Sequence, residues 1–282
     1  MKTAFCERID TNMNNIFEAP FVKEMCDTTA NMYRLGWDER NGGNISCLLD
    51  APMAEAYLDP DSVLRTLPLD FDASFLAGRY LIVTATGKYF KNVKDCPQNN
   101  MGIIRICPDG KAYDILWGFA DGSRPTSELP THLMNHIERL KADPAHRVVM
   151  HCHPLNILAM TYVHDLDEKA FTKTLWRMCT ECIVVFPEGV GVLPWMVCGN
   201  TEIGRATAEK IKDRRIVLWA AHGIFGTGES MDETFGLIET VEKAAQVYMT
   251  IGNRPVRQSI TDAQLLSLCK AFKIQPRAGY LD

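Results

Sequence analysis

The chain has 282 residues, 46% hydrophobic and 23% charged, which is enough length and apolar content to bury a substantial core. Its net charge of −5 comes with basic residues that are scattered rather than gathered in a stripe, which excludes a nucleic-acid footprint. Residues 1–15 hold no apolar run of the signal-peptide kind and no other stretch is long enough to span a bilayer, so a cytoplasmic protein without membrane attachment is expected. Ten cysteines in such a chain are expected to be free thiols. Cys179 and Cys182 have Cys-x-x-Cys spacing but run into an apolar segment, with no second pair to complete a four-cysteine zinc site.

Apolar residues recur at helical spacing over residues 21–35 and stop at Gly36, a good helix-terminating residue, which predicts a helix. Gly42-Gly43 then makes a tight turn before a strand at 44–49. Residues 50–72, rich in Pro and Asp, predict a surface excursion. Short apolar runs with β-branched residues at 80–84, 147–151, 182–186 and 216–221 read as strands, and several intervening segments read as helices. That alternation predicts an α/β sheet covered by helices. Ser230-Met-Asp-Glu233 has capping-box spacing and opens a long helix whose apolar face continues through Phe235, Ile238, Ala245 and Tyr248. A short helix over 262–272 closes the chain.

The strongest chemical signal is the apolar run from Arg147 that ends in His151-Cys152-His153. Alternate side chains of a strand point the same way, so His151 and His153 share a face and can be adjacent metal ligands. A second apolar run ends in His222-Gly223, and two strand ends of one sheet can bring His222 beside the first pair. Three protein ligands leave a fourth position open, as at a catalytic zinc. The competing reading makes His222 a strand-capping residue with no metal.

Pro125-Thr126-Ser127-Glu128-Leu129-Pro130 has the composition of a helix start, with hydroxyls suited to capping. Glu128 either complements the helix dipole or serves as a general acid/base at a metal site, and spacing alone does not separate the two. His132 and His136 lie i, i+4 on that helix. Leu133 stands where a metalloprotease helix needs Glu, so this pair is expected to be a polar helix flank. The turns Asn41-Gly42-Gly43-Asn44 and Thr84-Ala85-Thr86-Gly87-Lys88 offer amides and hydroxyls that can make an anion-binding concavity.

Five motifs occur in one order: Trp37-Asp-Glu-Arg-Asn41-Gly-Gly-Asn44, Thr126-Ser-Glu128-Leu-Pro130, His151-Cys-His153, Phe186-Pro-Glu-Gly-Val-Gly-Val-Leu-Pro-Trp-Met196 and Asp232-Glu-Thr-Phe-Gly236. Together they resemble the rhamnulose-1-phosphate aldolases of the class II aldolase/adducin superfamily, from about residue 21 to near the C-terminus. The resemblance implies a three-layer α/β/α fold with a central, largely antiparallel sheet. It implies one domain over 1–282, with 1–20 as an N-terminal extension and 253–282 as a C-terminal segment carrying a short helix. A cyclic homotetramer with active sites at subunit interfaces is also implied.

Carried over residue by residue, His151, His153 and His222 are the expected ligands of one Zn2+ per subunit, and Glu128 the acid/base. Asn41, Gly43, Asn44, Thr86, Gly87, Thr126 and Ser127 are expected to bind the substrate and its phosphate. Glu181 is expected to reach the active site of a neighbouring subunit. The implied activity is zinc-dependent cleavage of L-rhamnulose 1-phosphate to dihydroxyacetone phosphate and L-lactaldehyde, in rhamnose catabolism. Glu128 would handle the C3 proton and Glu181 the proton of the C4 oxygen. Two alternatives belong to the same superfamily, a fuculose-phosphate aldolase and a pentulose-phosphate 4-epimerase, both typically shorter. A third is a non-catalytic adducin-like interaction module, which need not keep three histidines and an acid. The sequence departs from the family pattern at Ala85, where glycine is expected, and Ala adopts a positive φ less cheaply. It departs again at Pro154, where a small residue is expected.

Overall fold

The computed structural model describes residues 13–281; residues 1–12 of the expected N-terminal extension, and residue 282, lie outside the described residues. Among the described residues nine strands join one sheet. They are β1 (Asn44–Leu49), β2 (Arg65–Pro68), β3 (Tyr80–Thr84), β4 (Met101–Ile106), β5 (Ala112–Gly118), β6 (Val148–Cys152), β7 (Gly191–Leu193), β8 (Ile216–Trp219) and β9 (Gly223–Gly228). Their order is β2-β5-β4-β3-β1-β6-β9-β8-β7, and every neighbouring pair is antiparallel except β7 with β8. The expected largely antiparallel sheet is therefore the one observed.

Among the described residues ten α-helices surround it: α1 (Pro20–Arg34), α2 (Ala51–Glu55), α3 (Pro97–Asn100), α4 (Leu129–Ala142), α5 (Leu155–Val163), α6 (Glu168–Met178), α7 (Cys182–Val185), α8 (Thr201–Ile211), α9 (Met231–Ile251) and α10 (Asp262–Phe272). One face of the sheet carries α4 and α8; the other carries α1, α5, α6 and α9. Strand alternation sorts side chains between these layers. Ile45 and Leu49 of β1 enter the larger core, and Leu48 packs with Leu133 in the core beneath α4. Asn44 and Ser46, in step with Leu48, therefore face α4. In β6, Val148, Met150 and Cys152 enter the larger core while Val149 lies on the α4/α8 side, which is the side His151 shares. The long helix α9 starts as its sequence predicts: the Ser230 hydroxyl accepts from the Glu233 amide, and the Glu233 carboxylate reaches back to the Glu229 amide.

Two sequence expectations change here. Residues 182–186, read as a strand, form the single helical turn α7, because a short apolar run has no periodicity to tell strand from helix. Cys182 and Ile183 insert into the core, and the Glu181 carbonyl accepts from the amides of both Val184 and Val185. Pro187 then forces Phe186 out of the helical region, and Gly191–Leu193 takes the open edge of β8 instead. Residues 50–72 are more than a surface excursion, since they contain α2 and the edge strand β2, which pairs with β5.

Candidate active site

β6 and β9 are hydrogen-bonded neighbours, so the end of β6 and the turn before β9 bring His151, His153 and His222 together. The three ring centroids are 5.0–5.1 Å apart, a nearly equilateral triangle. The turn is tight. Ala221 takes a strained positive φ of 58°, its amide held by the Thr161 hydroxyl, and the His222 amide closes onto the Trp219 carbonyl. Gly223 serves close approach here: a Cβ would lie 2.4 Å from the Cys152 carbonyl oxygen and 2.7 Å from the His153 ring. Gly42 is pressed on the same ring from the other side, with a Cβ there 2.9 Å from it.

The imidazole tautomers are set by second partners. His151 Nδ1 donates to the Ile224 carbonyl at 3.0 Å, and His153 Nδ1 donates to the Glu39 carboxylate at 2.9 Å. Both Nε2 atoms are then unprotonated, and their lone pairs face each other across 3.2 Å. Two lone pairs at that separation repel unless a cation lies between them. Two tetrahedral zinc ligands at about 2.05 Å from the ion are separated by about 3.3 Å, so the donor set fits such a metal. The nitrogens of His151, His153 and His222 all lie within 4.8 Å of one another. Burial keeps two of the rings neutral and available: it lowers His151 well below the usual range, helped by the other two imidazoles, and brings His222 down to about 4.

Glu128 caps α4 by position rather than by hydrogen bonding. The hydroxyl expected to cap is one element back, where Thr126 Oγ1 accepts from the Glu128 amide. This fold-back turns the carboxylate towards the sheet, where it is buried with Oε2 3.7 Å from His151 Nε2. Desolvation raises its pKa to about 7, opposed by the Asn44 amide, which donates to Oε2 at 2.9 Å. A divalent cation on the adjacent histidines would pull that value back down.

All seven residues expected to bind substrate line one cleft of about 200 Å³ above the histidines: Asn41, Gly43, Asn44, Thr86, Gly87, Thr126 and Ser127. Among the described residues no Lys or Arg lines it, so an anion there would meet neutral amides and hydroxyls of those residues. Lys88 is held by Asp121 instead. Ala85 has no positive φ; it bridges to Pro125, and Gly87 at φ 70° carries the left-handed turn, so replacing the expected glycine costs no backbone strain. Glu181 is not brought to the histidines within its own chain. It is exposed at the start of α7, accepts from the Cys179 thiol, and lines a separate hollow with Arg177 and Gln264.

His132 and His136 are a correction: the expected polar flank is completely buried, because the face of α4 they occupy packs on β1, where Asn44 and Ser46 supply hydrogen bonds. Two site residues had no reading in the sequence. Glu39 sits inside the motif from Trp37 to Asn44 and could have been found there as the acid beside the turn. Cys198, exposed, has its thiol within 4.8 Å of Glu128 and His222 ligand atoms, and no local pattern announces it.

The profile of the family described as Class II Aldolase and Adducin N-terminal domain matches residues 23–249. The chain belongs to the class II aldolase and adducin family. Its class II aldolases are metal-dependent. A rhamnulose-1-phosphate aldolase of Listeria monocytogenes serovar 1/2a is 58% identical over 269 residues, covering 95% of this chain and 98% of the relative. Another, of Enterococcus faecalis, is 58% identical and covers 95% and 96%. Among solved structures, a sugar-phosphate aldolase from Thermotoga maritima superposes with a TM-score of 0.71 at 30% identity, covering 83% of this chain and 97% of that one.

Proposed function

We propose that the chain cleaves L-rhamnulose 1-phosphate to dihydroxyacetone phosphate and L-lactaldehyde, as a cytoplasmic zinc enzyme of rhamnose catabolism built from one class II aldolase-like domain. The observation that carries this reading is the convergence of His151 Nε2 and His153 Nε2 to 3.2 Å beside a buried Glu128. Relatives 58% identical over nearly their whole length bear that enzyme's name, which favours rhamnulose phosphate over the fuculose and pentulose alternatives.

Three imidazoles with an open fourth position suit zinc, held by His151, His153 and His222. When bound, the metal supplies Lewis-acid polarisation of the substrate's carbonyl oxygen, the electron sink for breaking the C3–C4 bond. The residues supply the proton movements. Loss of the proton from the C4 hydroxyl turns C4 into the aldehyde as the bond electrons pass to C3. Glu128, with a pKa near neutrality, then delivers a proton to C3 and completes dihydroxyacetone phosphate. We assign the C4 oxygen proton to Glu181 of the partner subunit in a homotetramer, a reading supported by its exposure and its distance in sequence and surface from its own cleft. Thr86, Thr126, Ser127, Asn41 and the backbone at Gly43 and Gly87 hold the phosphate, with Asn44 beside them, converting remote binding energy into positioning.

The test is release of dihydroxyacetone phosphate from L-rhamnulose 1-phosphate and from L-fuculose 1-phosphate, each with and without chelator. Cleavage of the first sugar in clear preference, abolished by chelator and restored by Zn2+, is expected. Equal or reversed preference would move the substrate to the neighbouring aldolase class, and chelator-resistant cleavage would remove the metal.

A further inference from the structure

Behind Glu128 a buried line of polar groups runs between α4 and β1. Asn44, whose Nδ2 donates to Glu128, stands directly opposite His151 in the β1–β6 ladder. Its Oδ1 is bonded by His132 Nε2. His132 Nδ1 meets the Ser46 hydroxyl at 2.6 Å, Ser46 Oγ meets His136 Nε2 at 2.8 Å, and His136 Nδ1 meets His146 Nε2 at 2.8 Å. His132, His136 and Ser46 are fully buried and His146 is 1% exposed.

The two ends fix the direction of this line. In its ionised form Glu128 only accepts, so Asn44 then points its NH2 at Glu128 and its carbonyl at His132. His132 is then protonated on Nε2 and accepts on Nδ1 from the Ser46 O–H; Ser46 accepts from His136 Nε2–H; and His136 Nδ1 accepts from His146 Nε2–H. At the far end His146 Nδ1 has no partner among the described residues. In the reversed arrangement that atom would be a buried N–H with nothing to donate to, the costlier kind of orphan. Each end therefore selects the same direction. Burial lowers all three imidazoles, His132 and His146 to about 3, so none takes up a proton at neutral pH and the line keeps one arrangement of hydrogens.

We propose that His132, Ser46, His136 and His146 are positioning residues that lock the Asn44 amide with its NH2 on Glu128, through a one-way chain of hydrogen bonds whose donors all point at that carboxylate. The chain presents Glu128 with a fixed positive dipole end on its buried side and leaves Oε1 for the reacting carbon. It rests on the reading of Glu128 as the acid/base.

Two variants separate a donor role from mere filling. His132→Leu removes the bond to the Asn44 carbonyl and frees the amide to flip. His132→Gln keeps an N–H for Asn44 and a carbonyl for Ser46. In the metal-loaded protein, kcat for His132→Leu falls about ten- to hundredfold, the scale of one hydrogen bond to an ionised group, with KM within about threefold and metal content unchanged. His132→Gln restores most of the rate. In a Glu128→Gln background His132→Leu adds no further loss, because it acts through Glu128. In the unmodified protein, 15N spectra of labelled histidine place the proton of His132, His136 and His146 on Nε2 throughout pH 6–8, a readout independent of whether His132→Leu folds. A proton on Nδ1 of His132, or equal activity of the Leu and Gln variants, overturns the proposal. Full activity of Glu128→Gln alone would instead overturn the reading on which it rests.

Discussion

Gly223→Ala adds a single methyl group at the candidate metal site without replacing a ligand. Gly223 opens β9 with no positive φ, so alanine has no backbone strain there and the whole effect is steric. The added Cβ would meet the Cys152 carbonyl oxygen at 2.4 Å, His153 Cδ2 at 2.7 Å and His151 Cε1 at 3.1 Å. None of these is the free end of a flexible side chain, since one is backbone of β6 and the rings are pinned by Ile224 and Glu39. Relief therefore requires β6 and β9 to part by about 1 Å, a displacement that costs on the order of 10²-fold in rate where groups must be aligned. Metal affinity falls by about 10–100-fold, the range seen when the supports of a ligand are lost. Overpacking costs about 1–3 kcal/mol of stability. Competition of the protein against a chelating indicator, with kcat and thermal melting on the same preparations, measures all three. Gly236→Ala is the control: that glycine lies inside α9 with nothing within 4 Å of its Cβ position, so it keeps full activity and gains about 0.5–1 kcal/mol. A Gly223→Ala protein with wild-type metal affinity and turnover would show that the histidines tolerate the shift and that the reasoning is wrong.

Glu39→Gln removes the charge that orients His153 while keeping a hydrogen-bonding side chain, so metal affinity drops by about 10–100-fold, read by the same competition, with the fold intact. Acid sensitivity follows from the buried imidazoles. Their folded pKa values lie below the unfolded value of 6.5, so the unfolded chain binds more protons and stability is complete above about 6.5. It is lost as pH falls towards 3, at about 1.4 kcal/mol per pH unit for each group. Melting of metal-free protein between pH 7 and 4 checks this, and His146→Gln should flatten the slope. Alkylation of exposed Cys198 blocks the mouth of the cleft and abolishes activity, inorganic phosphate slows the loss, and Cys198→Ser resists the reagent.

The sequence displays strands and helices best where a local turn or cap residue marks their start, as Gly43 does before β1 and Thr261 before α10. Residues 44–49, 80–84 and 262–272 are found with the predicted bounds, and the Ser230 start of α9 is visible because its cap is local chemistry. Residues 182–186 are apolar on every side, so their conformation is decided by what surrounds them. The His151 and His153 pair was legible from strand alternation alone, whereas His222 needs the β6–β9 pairing to reach them. His132 and His136 misled because a polar residue on a helix signals solvent by default. Here the partners that make burial cheap, Asn44 and Ser46, lie nearly ninety residues away in the chain.

The central claim, that Glu128 moves a proton at the reacting carbon beside a metal on three histidines, is tested most directly by hydrogen exchange without any aldehyde. Dihydroxyacetone phosphate is incubated with the zinc-loaded protein in D2O and followed by proton NMR. The account predicts that one hydrogen of the hydroxymethyl carbon is replaced by deuterium, and that the exchange is lost on metal removal. It predicts a fall of about 10²–10⁴-fold in Glu128→Gln, the range for a lost general acid or base. Exchange at the wild-type rate in Glu128→Gln, or in protein stripped of metal, would contradict it.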